Sequence, residues 1–144
     1  MDIKIDYEWH GLARKVKTGK IAIYTKDRKK RLGYITFAVE ETQIFVNDLY
    51  VSKSYRGRGF GRLLMMMVMA LAEEVKKPIF LFSTDEGISF YETLGMRRIV
   101  DYKKWDDVKV KFMNLNSKKK FIEQCSDEDF VWVPSGMRRI KIYL

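Results

Sequence analysis

Residues 51–64, Val51-Ser52-Lys53-Ser54-Tyr55-Arg56-Gly57-Arg58-Gly59-Phe60-Gly61-Arg62-Leu63-Leu64, join two stretches of different hydrophobic period. Before them, Gln43 to Val51 is rich in β-branched and aromatic residues and reads as a strand. After them, Phe60, Leu63, Leu64, Met67, Val68, Leu71 and Val75 recur at helical spacing and form one apolar stripe. Met65, Met66, Met69 and Ala70 widen that stripe, so the middle of the helix is expected to be covered on most sides. Lys76-Lys77-Pro78 supplies positive charge and a proline stop.

The junction itself carries chemistry. Gly57, Gly59 and Gly61 let the backbone approach a ligand without Cβ obstruction. The free N–H groups of the helix's first turn, with the helix dipole, form an anion site. Arg56, Arg58 and Arg62 add charge suited to phosphates, so the segment reads as a diphosphate cradle. A Walker loop is excluded because Arg62-Leu63 follows Gly61 where Lys-Ser/Thr is required. The dinucleotide fingerprint is excluded because position 62 is Arg62 and not glycine.

Outward from the junction, Ile3-Lys4-Ile5 alternates and predicts an opening strand. Lys20 to Thr25 and Gly33 to Val39 read as strands joined by the polar turn Lys26 to Arg31. Between Tyr7 and Gly19 there is room for one short helix at most. On the other side, Ile79-Phe80-Leu81-Phe82 is all apolar, as a strand covered on both faces should be. Ser83 to Glu86 is rich in helix-start residues and leads into a helix over Ile88 to Leu94, stopped by Gly95 with Met96 packing behind it. Arg98 to Tyr102, Val108 to Leu115 and Arg139 to Tyr143 read as further strands. The whole predicts a mixed α/β or α+β fold: a central sheet of six to seven strands flanked by helices.

At 144 residues the chain has room for one domain, and 47% apolar with 14% aromatic residues is globular composition. The run Leu63 to Ala72 is too short to span a bilayer, and Met1 to Asp6 lacks the pattern of a signal peptide; a cytoplasmic protein is the expectation. One cysteine, Cys125, and one histidine, His10, leave no internal disulfide or thiolate zinc site, and no metal is expected. The formal charge of +9 favours anionic partners, with clusters at Lys26 to Arg31, Arg97-Arg98, Lys103-Lys104, Lys118 to Lys120 and Arg138-Arg139. Charge alone identifies none of them; a nucleic-acid-binding reading rests only on it and ranks last.

Two blocks together resemble the GNAT superfamily of N-acetyltransferases. Arg56, Gly59 and Gly61 match the family's Arg/Gln-x-x-Gly-x-Gly/Ala coenzyme-A signature, approached through Asp48-Leu49-Tyr50-Val51. Ser89-Phe90-Tyr91-Glu92-Thr93-Leu94-Gly95-Met96 is similar to its Phe-Tyr-x-x-x-Gly-Phe helix end. The resemblance covers about residues 20 to 115, leaving 116–144 as an extension of a single domain. It implies a mostly antiparallel sheet, with acetyl-coenzyme A as co-substrate and a primary amine as acceptor. It also implies cofactor contacts from Leu49, Val51, Arg56, Gly57, Arg58, Gly59, Phe60, Gly61, Arg62 and Thr84, the last standing where relatives have Asn. Tyr91 would protonate the departing thiolate. Asp48, with Glu40 and Glu41 behind it, is the candidate to hold or deprotonate the amine, unless a water chain serves. Gly87 stands where relatives often have alanine, and Met96 replaces the usual aromatic. The family's two N-terminal helices are shortened here, so the acceptor side should be open, or covered by the tail or a second copy of the chain. That points to an amine on an acidic protein or an RNA; a coenzyme-A-binding module without turnover is the alternative.

Overall fold

A computed structural model of the chain describes residues 2–12, 16–98 and 129–135. The chain divides into two compact units, 1–71 and 72–144, with the boundary inside a helix. The described secondary structure comprises seven strands, two α-helices and two short 3-10 turns. The strand pairs described within each unit are antiparallel, giving the mixed α/β fold expected. Among the described residues no helix is long and apolar enough to cross a membrane.

The first unit is a meander of four long strands: β1 (Ile3–Leu12), β2 (Val16–Thr25), β3 (Arg31–Val39) and β4 (Ile44–Val51). Where the sequence reading leaves room for a short helix, β1 and β2 instead pair along their full length, from Ile3 opposite Thr25 to Leu12 opposite Val16. The physical reason is that Ile3, Ile5, Tyr7 and Trp9 continue one strand-period row, and Trp9 seats its ring edge-on against Phe37 at 5.5 Å. Directly opposed residues share a face of the sheet. One face therefore carries Ile21, Ile23, Ile35, Phe37, Val46 and Ile44, all buried. Gly19 is required beneath Phe37, because a Cβ there would lie 2.5 Å from the ring.

The turn between β2 and β3 closes through Thr25 N–H to the Lys30 carbonyl (2.9 Å), with Arg28 in the left-handed region at φ 61°. Arg28 also pairs with both carboxylate oxygens of Asp6. β4 contains a bulge: Asp48 opposes Thr36 but Val46 opposes Phe37, which leaves Asn47 as the extra residue.

Helix α1 (Phe60–Val75) follows, over the range its periodicity predicts. Its fully buried residues are Leu64, Met65, Val68 and Ala72. Met66 is 51% exposed and Ala70 is exposed, so one face of the helix meets solvent, while Met67 and Met69 are half-buried. Lys76, at φ 56°, ends the helix just before Pro78.

In the second unit, β5 (Ile79–Phe82), β7 (Asp129–Trp132) and β6 (Arg97–Arg98) lie in that order. Ile79, Phe80 and Leu81 are buried as expected, but Phe82 is exposed. β7 was not anticipated, and Phe130 and Val131 on it are buried. Glu73 near the end of α1 accepts hydrogen bonds from the backbone N–H (2.8 Å) and hydroxyl (2.9 Å) of Ser135. The strands expected at 98–102 (beyond Arg98), 108–115 and 139–143 lie outside the described residues. So do Cys125 and the clusters at 103–104, 118–120 and 138–139.

Candidate active-site residues

In the first unit β4 leaves the sheet at Ser52, whose N–H and hydroxyl reach the Leu32 and Arg31 carbonyls, both at 2.8 Å. A 3-10 turn, Lys53–Tyr55, then leads into Arg56 to Gly59. Gly57 and Gly59 adopt φ of 79° and 87°, a region that L side chains avoid. A Cβ built on either would meet nothing within 4 Å, so both hydrogens face open space. Gly61 is already helical, so it does not share their conformational role. The Gly59 carbonyl accepts the first helical bond, from Leu63 N–H at 2.9 Å. The N–H groups of Phe60, Gly61 and Arg62 therefore have no acceptor within the helix, and they mark its positive end.

The arginines differ in their placement. Arg56 is braced: its Nε donates to the Val51 carbonyl at 2.9 Å, and its guanidinium lies 5.8 Å from the Tyr50 ring. That contact occupies the backbone carbonyl of Val51, one of the residues expected to contact the cofactor. Arg58 sits 5.2 Å over the Tyr55 ring, and Arg62 is exposed. Phosphate fits this environment: two turn glycines without overhead atoms, a helix N-terminus, and three guanidinium groups in seven residues.

Leu49 and Val51 lie half-buried on the core-facing side of β4, while Asp48 and Tyr50 point to the opposite face. Asp48 is exposed and accepts a long hydrogen bond from the Thr36 hydroxyl, 3.5 Å. Glu40 and Glu41 are not brought to it. Glu40 lies four positions along from Thr36, Asp48's partner, which is about 13 Å at a strand's rise.

In the second unit, Thr84 precedes a 3-10 turn, Asp85–Gly87, which runs into α2 (Ile88–Thr93). No side chain caps either element, although Ser83 to Glu86 promised one. Instead the Ser83 hydroxyl, 5% exposed, donates to the Thr84 carbonyl at 2.7 Å. The end of α2 is fixed as the sequence predicts. Gly95, at φ 85°, donates to Glu92 O (3.0 Å), Met96 N–H donates to Tyr91 O (3.2 Å), and Met96 is buried. This paired 5→2 and 6→1 pattern satisfies the last carbonyls of the helix.

Tyr91 is therefore held at its backbone by the helix stop and at its ring by Phe90 (5.1 Å) and fully buried Phe130 (5.8 Å). Burial raises its phenol above the ordinary value of 10.0, which keeps the proton on. Among the described residues its hydroxyl makes no hydrogen bond. Sequence reasoning missed the role of Gly87. A Cβ there would lie 2.8 Å from Ser83 Oγ, 3.2 Å from Tyr91 Cε2 and 3.6 Å from Thr84 Oγ1. The absent side chain lets hydroxyl and ring close over the turn.

The sequence profile of the acetyltransferase (GNAT) domain matches residues 17–98. Among solved structures, the GNAT family N-acetyltransferase YhbS from Escherichia coli, solved with CoA, is 15% identical at a TM-score of 0.56. That match covers 85% of this chain and 59% of YhbS. A GNAT-family acetyltransferase from Staphylococcus aureus is 18% identical at 0.55, covering 81% of this chain and 67% of that one. An acetyltransferase from Bacillus cereus is 23% identical at 0.54, covering 57% and 59%. The likeness is one of fold, and the chain spans about three fifths to two thirds of the length of these relatives. No curated protein matches.

Proposed function

Because the chain belongs to the GNAT family of acetyltransferases, we propose that it transfers an acetyl group from acetyl-coenzyme A to a primary amine on a cytoplasmic macromolecule. The observation that carries this reading is the pair of left-handed glycines, Gly57 and Gly59, opening α1 within the matched region. Their amides and those of Phe60, Gly61 and Arg62 would hold the diphosphate, with Arg58 and Arg62 supplying charge. Leu49 and Val51 would flank the pantetheine arm, and Thr84 would add a polar contact.

The chemistry needs the amine to reach the thioester carbonyl as a free base, and needs a proton for the thiolate that leaves. Asp48, exposed on β4, would attract the ammonium form and take or relay its proton. Tyr91 would protonate the thiolate; its raised pKa means that it carries the proton throughout the neutral range. Neither step requires a metal.

A melting experiment and a thiol-release assay test the reading in sequence. Acetyl-coenzyme A at about 100 times its Kd should stabilise the fold by about 2.7 kcal/mol, a Tm rise of roughly 5–10 °C. Thiol should then appear when a lysine-bearing protein is added. No melting shift at saturating cofactor removes the donor from the proposal. A shift without thiol release from any amine supports a binding module without turnover.

A further inference from the structure

The polar face of the first unit's sheet carries an ordered array that meets the candidate cradle only at Arg56. Two rungs cross it. On one, Ala22, Tyr34 and Tyr50 oppose one another across β2, β3 and β4. On the next, Lys20, Thr36 and Asp48 do the same. The Tyr34 and Tyr50 rings lie 5.7 Å apart. Lys20 Nζ is 5.1 Å and the Arg31 guanidinium 4.5 Å from the Tyr34 ring centre, and Arg56 closes the row at Tyr50. Arg31, Asp48 and Arg56 are exposed, and Tyr50 is 42% exposed.

Each neighbouring anion has its own placement. Asp6 is engaged by Arg28 on both oxygens, and Glu8, beyond Lys20 on β1, lies 4.0 Å from His10. Among the described residues the face thus presents Asp48 as an exposed carboxylate, with Lys20 and Arg31 gathered over the Tyr34 ring to one side of it and Glu8 opposite Lys20 on β1. Lys20 is two strand spacings from Asp48, about 10 Å between backbones. The tyrosine rings hold the cations in place, which lowers the ordering cost of pairing them with a ligand.

We propose that this face docks a lysine-bearing acidic peptide segment, the lysine at Asp48 and its acidic neighbours on Lys20 and Arg31. An extended peptide advances about 3.3 Å per residue, so carboxylates two or three positions to one side of the lysine reach the cations over Tyr34. A free polyamine satisfies Asp48 but meets like charge at the Lys20 and Arg31 pair. A single-stranded nucleic acid would stack on the tyrosines and engage the cations, but it would bring phosphate against Asp48. The assignment of this peptide as the acceptor rests on the acyl-transfer reading above; the docking does not.

The test uses the full chain and a fluorescein-labelled peptide with one lysine and glutamates two and three positions to either side, read by anisotropy. Its controls are the same peptide with glutamines and a labelled single-stranded oligonucleotide. The acidic peptide should bind tightest and weaken with added salt. K20Q/R31Q should weaken it about fivefold to tenfold, as two partly exposed ion pairs allow. The acetyl-coenzyme A melting shift should survive in that variant, showing an intact fold. Equal binding of the glutamate and glutamine peptides, or unchanged binding in K20Q/R31Q, overturns the proposal. So does tighter binding of the oligonucleotide. Charge-dependent peptide binding without acetylation supports the docking surface and counts against the acyl-transfer reading.

Discussion

Replacing Gly87 with alanine tests the packing that positions Tyr91. The backbone tolerates the change, since Gly87 sits at φ −85°, ψ −12°, an ordinary helical conformation. Every effect must therefore come from the added methyl group. At 2.8 Å from Ser83 Oγ it forces that hydroxyl to rotate, breaking its bond to the Thr84 carbonyl. Losing a part-buried hydrogen bond costs about 1–3 kcal/mol, and the stiffer unfolded chain returns about 0.4–1 kcal/mol. The net loss should be about 0.5–2 kcal/mol, a Tm fall of roughly 2–6 °C. The contact at 3.2 Å from Tyr91 Cε2 moves the ring by a few tenths of an ångström. Misplacement by 1 Å can cost about 10²-fold, so turnover should fall roughly threefold to tenfold. Ser83→Ala in the same chain removes the hydroxyl contact but leaves the ring contact. Melting and thiol release should therefore separate: Ser83→Ala alone loses the same hydrogen bond with turnover kept, and adding Gly87→Ala to it costs little further stability but lowers turnover. A Gly87→Ala protein that is more stable than wild type with full turnover would refute the reasoning.

Tyr91→Phe keeps the ring and removes the proton, so turnover should fall by about 10²-fold with the cofactor melting shift unchanged. Unchanged turnover, with chemistry shown to be rate-limiting, would remove Tyr91 from the mechanism. The same variant has a pH signature. Because burial raises the Tyr91 pKa, the folded chain holds a proton that the unfolded chain releases above about pH 10. Stability should decline there as pH rises, and denaturant titrations should show a shallower decline in Tyr91→Phe. Gly59→Ala should lose about 1–2 kcal/mol because its φ is 87°, and should abolish the cofactor shift even at temperatures where it is fully folded. A retained shift in that variant would show that the space over Gly59 is not where the diphosphate lies.

Local signals made much of this chain legible. The change of period at Val51 to Phe60 placed the strand-to-helix junction, and the Gly95-Met96 pair predicted a helix stop that the hydrogen bonds reproduce. Long-range pairing was less accessible. The acidic residues Asp6 and Glu8 have low strand propensity and hid the continuation of β1, although Tyr7 and Trp9 kept its alternation. β7 is four residues long and is defined by its partners on β5 and β6, which no local pattern announces. The polar-face array also depends on register: Lys20, Tyr34 and Tyr50 are remote in sequence and meet only through pairing. Gly87 gave no signal beyond its identity, because its role is to leave room. The spacing of Val46 and Leu49, three and not two, did announce the bulge and could have been read.

That bulge changes what an edit of chain length would mean. Losing one residue inside a strand ordinarily throws everything beyond it out of phase, sending core residues outward. In β4 the count already contains a surplus at Asn47, so Val46 and Leu49 point the same way despite odd spacing. Excising Asn47 would restore a regular two-residue beat while leaving Asp48 and Tyr50 on the polar face and Leu49 and Val51 on the other. Inserting a residue there has no such slack. The strand is asymmetric toward shortening and lengthening, and a lineage could straighten the approach to Asp48 in a single step without rebuilding its core.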